Sequence, residues 1–134
     1  MATQVSTTEE IARRIARFAA GRPSVLAAYL FGSALQQRLA VDSDIDVGLL
    51  FANPPDLFGV FDLQDELTRI LGRQTDLVCL NRASPILAMQ VLKRGAIVFQ
   101  RSERAVREFQ VWTHFAYVDL KQVRKPIEEA LLSG

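Results

Sequence analysis

Residues 31–46 read FGSALQQRLAVDSDID, and carboxylates crowd the end of this stretch. Asp44 and Asp46 stand two residues apart at the start of an apolar run, DIDVGLLF. Side chains two apart on a strand share one face, about 7 Å from each other along it. Because like charges repel and are costly to desolvate, this pair indicates either a solvated strand end or a site for a divalent cation. Mg²⁺ suits such a site, since it prefers carboxylate, phosphate and water oxygens.

A Gly-Ser turn precedes the carboxylate pair by ten residues. Gly32 and Ser33 follow the apolar run VLAAYLF, which predicts a buried strand over residues 25–31. A turn at the end of such a strand leaves backbone N–H groups free for phosphate oxygens, and the Ser33 hydroxyl adds a donor. Gly32 permits close approach of a ligand or an unusual φ. A phosphate-binding turn beside a pair of carboxylates meets the requirement of nucleotidyl transfer. In that reaction a metal ion is bound by both phosphate and carboxylate oxygens.

Together these residues resemble the signature of the nucleotidyltransferase superfamily, in which Gly-Ser, ten intervening residues and Asp-x-Asp follow one another. Here the acidic part is Asp44-Ile45-Asp46. The superfamily includes DNA polymerase beta, aminoglycoside nucleotidyltransferases and poly(A) polymerases. The closest likeness, over about residues 10–100, is to the minimal nucleotidyltransferase antitoxins of HEPN/MNT toxin–antitoxin pairs. This resemblance implies the nucleotidyltransferase fold and a third carboxylate on a later strand, which Asp76 in TDLVCL matches.

The resemblance also implies a reaction and a role for each residue. Asp44, Asp46 and Asp76 would bind Mg²⁺ or Mn²⁺, and Asp76 would help activate the attacking hydroxyl. Gly32 and Ser33 would bind ATP. The protein would then transfer AMP from ATP to a hydroxyl, expected to be a tyrosine, on a cognate HEPN ribonuclease toxin and so silence it. Two alternatives stay open: an antitoxin that neutralises by binding alone, and a small-molecule adenylyltransferase of the aminoglycoside type.

Two further features lie between the turn and the acidic pair. Asp42 is interpreted as a turn or capping residue rather than a ligand. Relatives often continue Gly-Ser with a run containing Ala-Arg-Gly, whereas this chain has Gln36-Gln37 and its first arginine there is Arg38. The stretch therefore departs from the family pattern at the place where a basic contact to the triphosphate is often found.

The elements that must position these residues alternate along the chain. Apolar spacing, with stop signals at Gly21, Gly72 and Gly95, predicts the following order. Helices are expected over 7–20, 34–40, 56–71, 84–94 and 102–125, the last ending or kinking near Lys125 before Pro126, and strands over 25–31, 44–51, 75–80 and 96–100. This order predicts an α/β (α+β) fold with a small mixed sheet of about four strands covered by helices. We expect one domain over residues 1–134.

The last helix is more apolar than one core-facing stripe requires. One face carries Val106, Phe109, Trp112, Ala116, Leu120 and Val123. Val111, Phe115 and Val118 cluster on nearly the opposite side, which indicates either a wholly internal helix or a partner-binding surface. The resemblance implies a HEPN toxin as the partner in a hetero-oligomer, and a homodimer is also possible.

Composition limits the remaining function classes. The chain has 134 residues, 49% of them apolar, and its 16 basic and 15 acidic side chains leave a net charge of +1. A net charge this close to zero does not indicate binding to nucleic acid or to an anionic membrane. No apolar run approaches the roughly 18 residues that span a bilayer, and no signal peptide is recognised, so we expect a cytoplasmic protein. The single cysteine, Cys79, is expected to be a small buried hydrophobe, and His114 is assigned no catalytic role.

Overall fold

The helices and strands follow the order that the sequence predicts. The computed structural model describes residues 7–32 and 44–133. The elements are α1 Thr8–Ala20, β1 Val25–Phe31, β2 Ile45–Phe51, α2 Leu57–Leu71, β3 Thr75–Cys79, α3 Pro85–Arg94, β4 Ala96–Gln100 and α4 Glu103–Ser133. A single 3₁₀ turn, Leu80–Arg82, separates β3 from α3. The helix predicted over 34–40 lies outside the described residues.

Short polar side chains begin the first three helices. Thr7, Asp56 and Ser84 each accept a hydrogen bond from a backbone N–H in the first turn of α1, α2 and α3, respectively. Such caps satisfy donors that have no partner inside the helix, and each stabilises the fold by about 1 kcal/mol. At the other end of α2, Gly72 adopts φ 68°, a left-handed conformation that glycine accepts without strain. Local sequence chemistry therefore accounts for where these helices start and stop.

The strands form one mixed sheet in the order β3-β2-β1-β4. β1 is antiparallel to both β2 and β4, whereas β2 and β3 are parallel. Consequently the C-terminal end of β1 meets the N-terminal ends of β2 and β3. We call this the carboxylate end of the sheet, because Gly32, Asp46 and Asp76 lie there. The predicted mixed sheet of about four strands is confirmed.

Helices cover both faces of the sheet. On the first face, α1 and α2 bury a core that includes Ile11, Ile15, Val47, Leu49, Leu67 and Leu71. On the second face, α3 and α4 bury a core that includes Tyr29, Leu50, Leu80, Val91, Val106 and Phe109. Burying each large aliphatic side chain contributes about 1.5–3 kcal/mol. Cys79 is half-buried against the first core rather than fully buried, because it ends β3 next to the 3₁₀ turn.

The last helix is longer than predicted. An end near Lys125 is wrong, because α4 continues through Pro126 to Ser133, and the alternative of a kink there stays a prediction. Proline lacks an N–H, so the carbonyl of Gln122 loses its helical donor, but both residues are exposed and water can take the donor's place. In the parts of the chain that the structure describes, neither α4 nor another helix is apolar enough over a sufficient length to cross a membrane.

One arginine ties the end of β4 to the end of α1. The Arg101 guanidinium donates to the carbonyls of Val25, Ala19, Ala20 and Arg22 at 2.9–3.3 Å. We expect Arg101→Ala to lower the free energy of unfolding by roughly 1–3 kcal/mol, because charge-assisted bonds to helix-end carbonyls are lost. Denaturant unfolding would measure it. Arg104→Ala, which removes only a surface pair with Glu108, should stay within about 0.5 kcal/mol; equal effects would contradict the assignment.

Candidate active site

Strand register places Asp46 at the centre of the carboxylate end. On one side Asp46 stands opposite Phe31, the last residue of β1, and on the other it stands opposite Asp76 of β3. Neighbouring strands lie about 4.8 Å apart, so directly opposed residues share a face of the sheet. Alternation along β2 sends Ile45 and Val47 into the first core, and Asp46 therefore faces the other side. The topology thus brings Asp46 and Asp76 together although they are thirty residues apart in sequence.

Gly32 brings the backbone directly against the Asp46 carboxylate. It follows β1 and adopts φ 78°, in the left-handed region that other residues rarely occupy. A Cβ atom added at this position would overlap Asp46 Oδ2. Gly32 is therefore required both by its backbone conformation and by the lack of space. The predicted nearness of the Gly-Ser turn to the acidic pair is seen for Gly32, whereas Ser33 lies outside the described residues.

Electrostatics links all three predicted aspartates. Burial raises the pKa of Asp46 above its usual value, and the charges of Asp76 and Asp44 raise the same pKa further. Asp44, just before β2, and Asp76 are exposed, while Asp46 is half-buried. Like charges next to a partly desolvated carboxylate destabilise its ionised form, and a bound cation would relieve that repulsion. This clustering of carboxylates therefore lowers the stability of the folded protein, and it is suited to binding a positively charged ligand.

The carboxylates are neighbours but not yet arranged as a metal centre. Across residues 7–32 and 44–133, no group of three or more His, Cys, Asp or Glu side chains is positioned to hold an ion. Asp44 and Asp76 are exposed, so their side chains can change rotamer at small cost. As a donor set, three carboxylates with room for phosphate oxygens fit a hard cation such as Mg²⁺ or Mn²⁺. The chemistry of these residues therefore agrees with the predicted metal.

Replacing Asp46 should stabilise the protein while removing a proposed ligand. Because its pKa is raised in the folded state, ionised Asp46 costs stability at neutral pH, and that cost disappears as the pH falls through the raised pKa. We expect Asp46→Asn to raise the free energy of unfolding by about 0.5 kcal/mol, or roughly 2 °C in Tm, in EDTA at pH 7. Thermal unfolding would measure it. Asp62→Asn, at an exposed position on α2, should change Tm by less; a lower Tm for Asp46→Asn would contradict the electrostatic account.

Several sequence predictions fall in the stretch between β1 and β2. The turn role of Asp42, the loop contact at Gln36-Gln37 and the hydroxyl of Ser33 all lie outside the described residues. They therefore stay predictions.

The second predicted surface lies on α4. Val111, Phe115 and Val118 are exposed by 56%, 67% and 50% of their area, so a wholly internal helix is wrong. Trp112 was expected on the core-facing stripe but is also exposed, and Thr113 is buried in its place. Both positions lie about one turn after Phe109, and the packing of α4 on the sheet selects Thr113. Trp112 is therefore the member of this surface that sequence reasoning missed. We call these four residues the α4 patch.

A groove of about 620 Å³ adjoins the α4 patch. It lies at the opposite end of the sheet from the carboxylates, and its lining is mostly aliphatic, with Trp112 at one side. The lining includes Leu26, Leu50, Leu80, Ala88, Ala105 and Ala116. Among the described residues, the charged and polar members of its lining, Asn81, Glu108 and Thr113, include no cation that could bind phosphate, unlike a site for phosphate chemistry. Its small apolar side chains instead extend the apolar surface of the patch.

Comparison with known proteins identifies the family. Residues 13–104 match the family described as polymerase beta, nucleotidyltransferase, a range that contains Gly32 and all three aspartates. The chain belongs to this family. As a nucleotidyltransferase it is 31% identical over 112 residues to the protein adenylyltransferase MntA of Shewanella oneidensis, covering 84% of this chain and 80% of that protein.

Solved structures of toxin–antitoxin complexes contain the same fold. This nucleotidyltransferase matches a chain of a toxin–antitoxin crystal structure with AMP-PNP at a TM-score of 0.81 and 29% identity, over 90% of this chain and 98% of that one. It also matches a chain of the structure of a tri-AMPylated Shewanella oneidensis HEPN toxin in complex with its MNT antitoxin, at a TM-score of 0.78 and 26% identity, over 94% and 99%. Because the two matches cover 90% and 94% of this chain, whose last strand ends at Gln100, the likeness extends beyond the sheet into α4.

Proposed function

We propose that this nucleotidyltransferase is an antitoxin that transfers AMP from ATP to a hydroxyl group, expected to be a tyrosine, of a HEPN toxin. The observation that carries the proposal is the register that sets Asp46 between Phe31-Gly32 and Asp76 at one end of the sheet. Support comes from the likeness to MntA, a protein adenylyltransferase, and from a relative's structure in which a HEPN toxin is tri-AMPylated.

The chain's own residues supply the parts that adenylyl transfer needs. The attacking hydroxyl forms a new bond to the α-phosphorus of ATP, the bond from that phosphorus to the bridging oxygen breaks, and pyrophosphate leaves. Asp76 accepts the proton of the attacking hydroxyl. Gly32 lets the triphosphate approach the backbone, since it presents no side chain there. Ser33 donates to a phosphate oxygen.

Asp44, Asp46 and Asp76 would hold Mg²⁺ or Mn²⁺. Carboxylate oxygens are the ligands that these cations prefer. Burial, with the neighbouring charges of Asp76 and Asp44, raises the pKa of Asp46, and a cation would favour its ionised form. When bound, the ion neutralises the negative charge that develops on the phosphate oxygens. In this arrangement Asp44 and Asp46 would act only as ligands, whereas Asp76 would also accept the proton of the attacking hydroxyl.

The α4 patch is the proposed contact with the toxin. Four large apolar side chains stand exposed together on a helix, which is typical of a protein-binding surface. Trp112 also lines the adjoining groove, so a partner side chain can enter the groove while its neighbours cover the patch. Aromatic residues beside a pocket are the positions that dominate binding energy at interfaces.

A charge in the centre of the α4 patch should strongly weaken complex formation. We expect Phe115→Asp to weaken toxin binding by about 100-fold or more, because a carboxylate would be buried against an apolar partner. Calorimetry with the purified toxin would measure it. Phe58→Asp is the matched control, since Phe58 is also well exposed, at 78% against 67% for Phe115, but lies on α2. If both variants bind equally well or equally poorly, the α4 patch is not the specific contact.

Co-expression separates catalysis from neutralisation by binding alone. The exposed α4 patch does not discriminate between the two, since the toxin must be bound in either case. Cells that express the toxin with wild-type antitoxin should grow, whereas the Asp44→Ala, Asp46→Ala double variant should fail to protect them at equal abundance. Full protection by the double variant would show that binding is sufficient and would overturn the proposed enzymatic role.

A further inference from the structure

Two side chains of α2 cap the free border of β3 on either side of Asp76. Within residues 7–32 and 44–133, β3 is an edge strand of the sheet and pairs with β2 alone. Along its other border, the Thr75 N–H donates to Thr68 Oγ1 at 3.2 Å, and the Leu77 N–H donates to Gln64 Oε1 at 2.9 Å. An edge strand ordinarily leaves such groups to water or to another chain. Here they are satisfied within the molecule.

The spacing of the two acceptors matches the spacing of the two donors. Gln64 and Thr68 are four residues apart on α2, so they stand one helical turn apart, at about 6 Å, on the same face. Thr75 and Leu77 are two residues apart on a strand, which is about 6.6 Å. The residue between these two donors is Asp76, opposite Asp46 in the sheet. The α2 side chains therefore hold the backbone immediately before and after the proposed base.

The side chains of the two donor residues strengthen this attachment. Thr75 is fully buried, and its hydroxyl donates to the Arg73 carbonyl at 3.1 Å. Leu77 is buried in the first core. Asp76 itself is exposed, so its own side chain contributes little to fixing its position. What fixes Asp76 is the backbone on either side.

We propose that Gln64 and Thr68 are positioning residues that hold Asp76 where it can accept the proton of the attacking hydroxyl. The proposal rests on the proposed function, in which Asp76 performs that step. Without the two acceptors, the start of β3 would be held by β2 on one side only, and such borders open locally more readily. A displacement of about 1 Å at a catalytic group costs on the order of 100-fold in rate.

Matched pairs of variants separate hydrogen bonding from packing. Gln64→Leu and Thr68→Val keep the approximate shape but remove the acceptor, whereas Gln64→Glu and Thr68→Ser keep an acceptor oxygen. AMP transfer to the HEPN partner would be measured for the full-length variants well below their Tm. We expect Gln64→Leu and Thr68→Val to lower kcat by about 10- to 100-fold with the KM for ATP within about twofold. Gln64→Glu and Thr68→Ser should restore kcat to within about threefold.

Amide hydrogen exchange provides a readout that does not depend on the reaction. The Thr75 and Leu77 amides should exchange at least about tenfold faster in Gln64→Leu and Thr68→Val, while the amides of β4 stay unchanged. If the wild-type protein transfers no AMP, the proposed function fails. Hydrogen exchange at the Thr75 and Leu77 amides then still tests whether the α2 side chains hold the backbone of β3. Wild-type kcat in Gln64→Leu would overturn the proposal. So would a loss of kcat that Gln64→Glu does not restore, or unchanged exchange at both amides.

Discussion

The Asp44→Ala, Asp46→Ala double variant should fail to transfer AMP from labelled ATP, with a rate at least about 1,000-fold below that of the wild type. The two residues flank the start of β2, and Asp46 lies between Gly32 and Asp76 at the carboxylate end. Removing both takes away the charges that would hold a cation against the triphosphate. Losing one preorganised electrostatic contact in a reaction site costs about 100- to 1,000-fold.

The double variant should remain folded, because neither carboxylate contributes a core contact. Its Tm in EDTA should be equal to or above that of the wild type, since burial and repulsion raise the pKa of Asp46 in the folded state. The matched control is Asp62→Ala with Asp65→Ala, which removes two exposed acids from α2 and should leave transfer unchanged. Wild-type labelling by the double variant at the carboxylate end would sink the assignment of the site.

Gly32→Ala should have the second-largest effect, on both activity and stability. Alanine at φ 78° is strained, and its Cβ would overlap Asp46 Oδ2, so the loop or the carboxylate must move. We expect a loss of about 1–2 kcal/mol in the free energy of unfolding and a fall of about 100-fold in AMP transfer. Denaturant unfolding and the labelling assay would measure the two effects.

Gly21→Ala is the control for this substitution. Gly21 ends α1 at φ −79°, and an added Cβ would meet its nearest atom at an ordinary 3.7 Å. Alanine there should leave transfer unchanged and stability within about 0.5 kcal/mol. If Gly32→Ala behaves like Gly21→Ala in both measurements, the close approach at Gly32 has no role in the reaction.

Local patterns in the sequence were sufficient to predict the elements that the structure describes, and they singled out Gly32, Asp44 and Asp46 as candidates. Apolar runs bounded by glycine or proline predicted all four strands, because buried strands carry few polar residues. Pro126 misled the prediction for α4, since the rule that proline ends a helix assumes a buried backbone, whereas the exposed surface of this helix lets water replace the lost donor. The family resemblance, rather than periodicity, selected Asp76 as the partner of Asp46.

The features that the sequence could not reveal depend on how the helices and strands pack against one another. The register of β2 against β3 decides that Asp46 faces Asp76, and register arises from packing across the whole sheet. The acceptors on α2 are similarly invisible, since Gln64 and Thr68 look like ordinary polar residues of a helix until β3 is placed beside them. Trp112 was assigned to the wrong face for a related reason. Helical periodicity predicts that a stripe of residues is buried, but the way in which α4 packs across the sheet decides which residues belong to that stripe.

The mass of the HEPN toxin after incubation with this protein and ATP tests the central claim most directly. If the carboxylate end transfers AMP to the partner, mass spectrometry will show the toxin heavier by one or more adenylyl units, with the modified residue a tyrosine. The Asp44→Ala, Asp46→Ala variant will leave the toxin mass unchanged while still forming the complex. An unmodified toxin that is nevertheless bound and silenced by the wild-type protein would contradict the account.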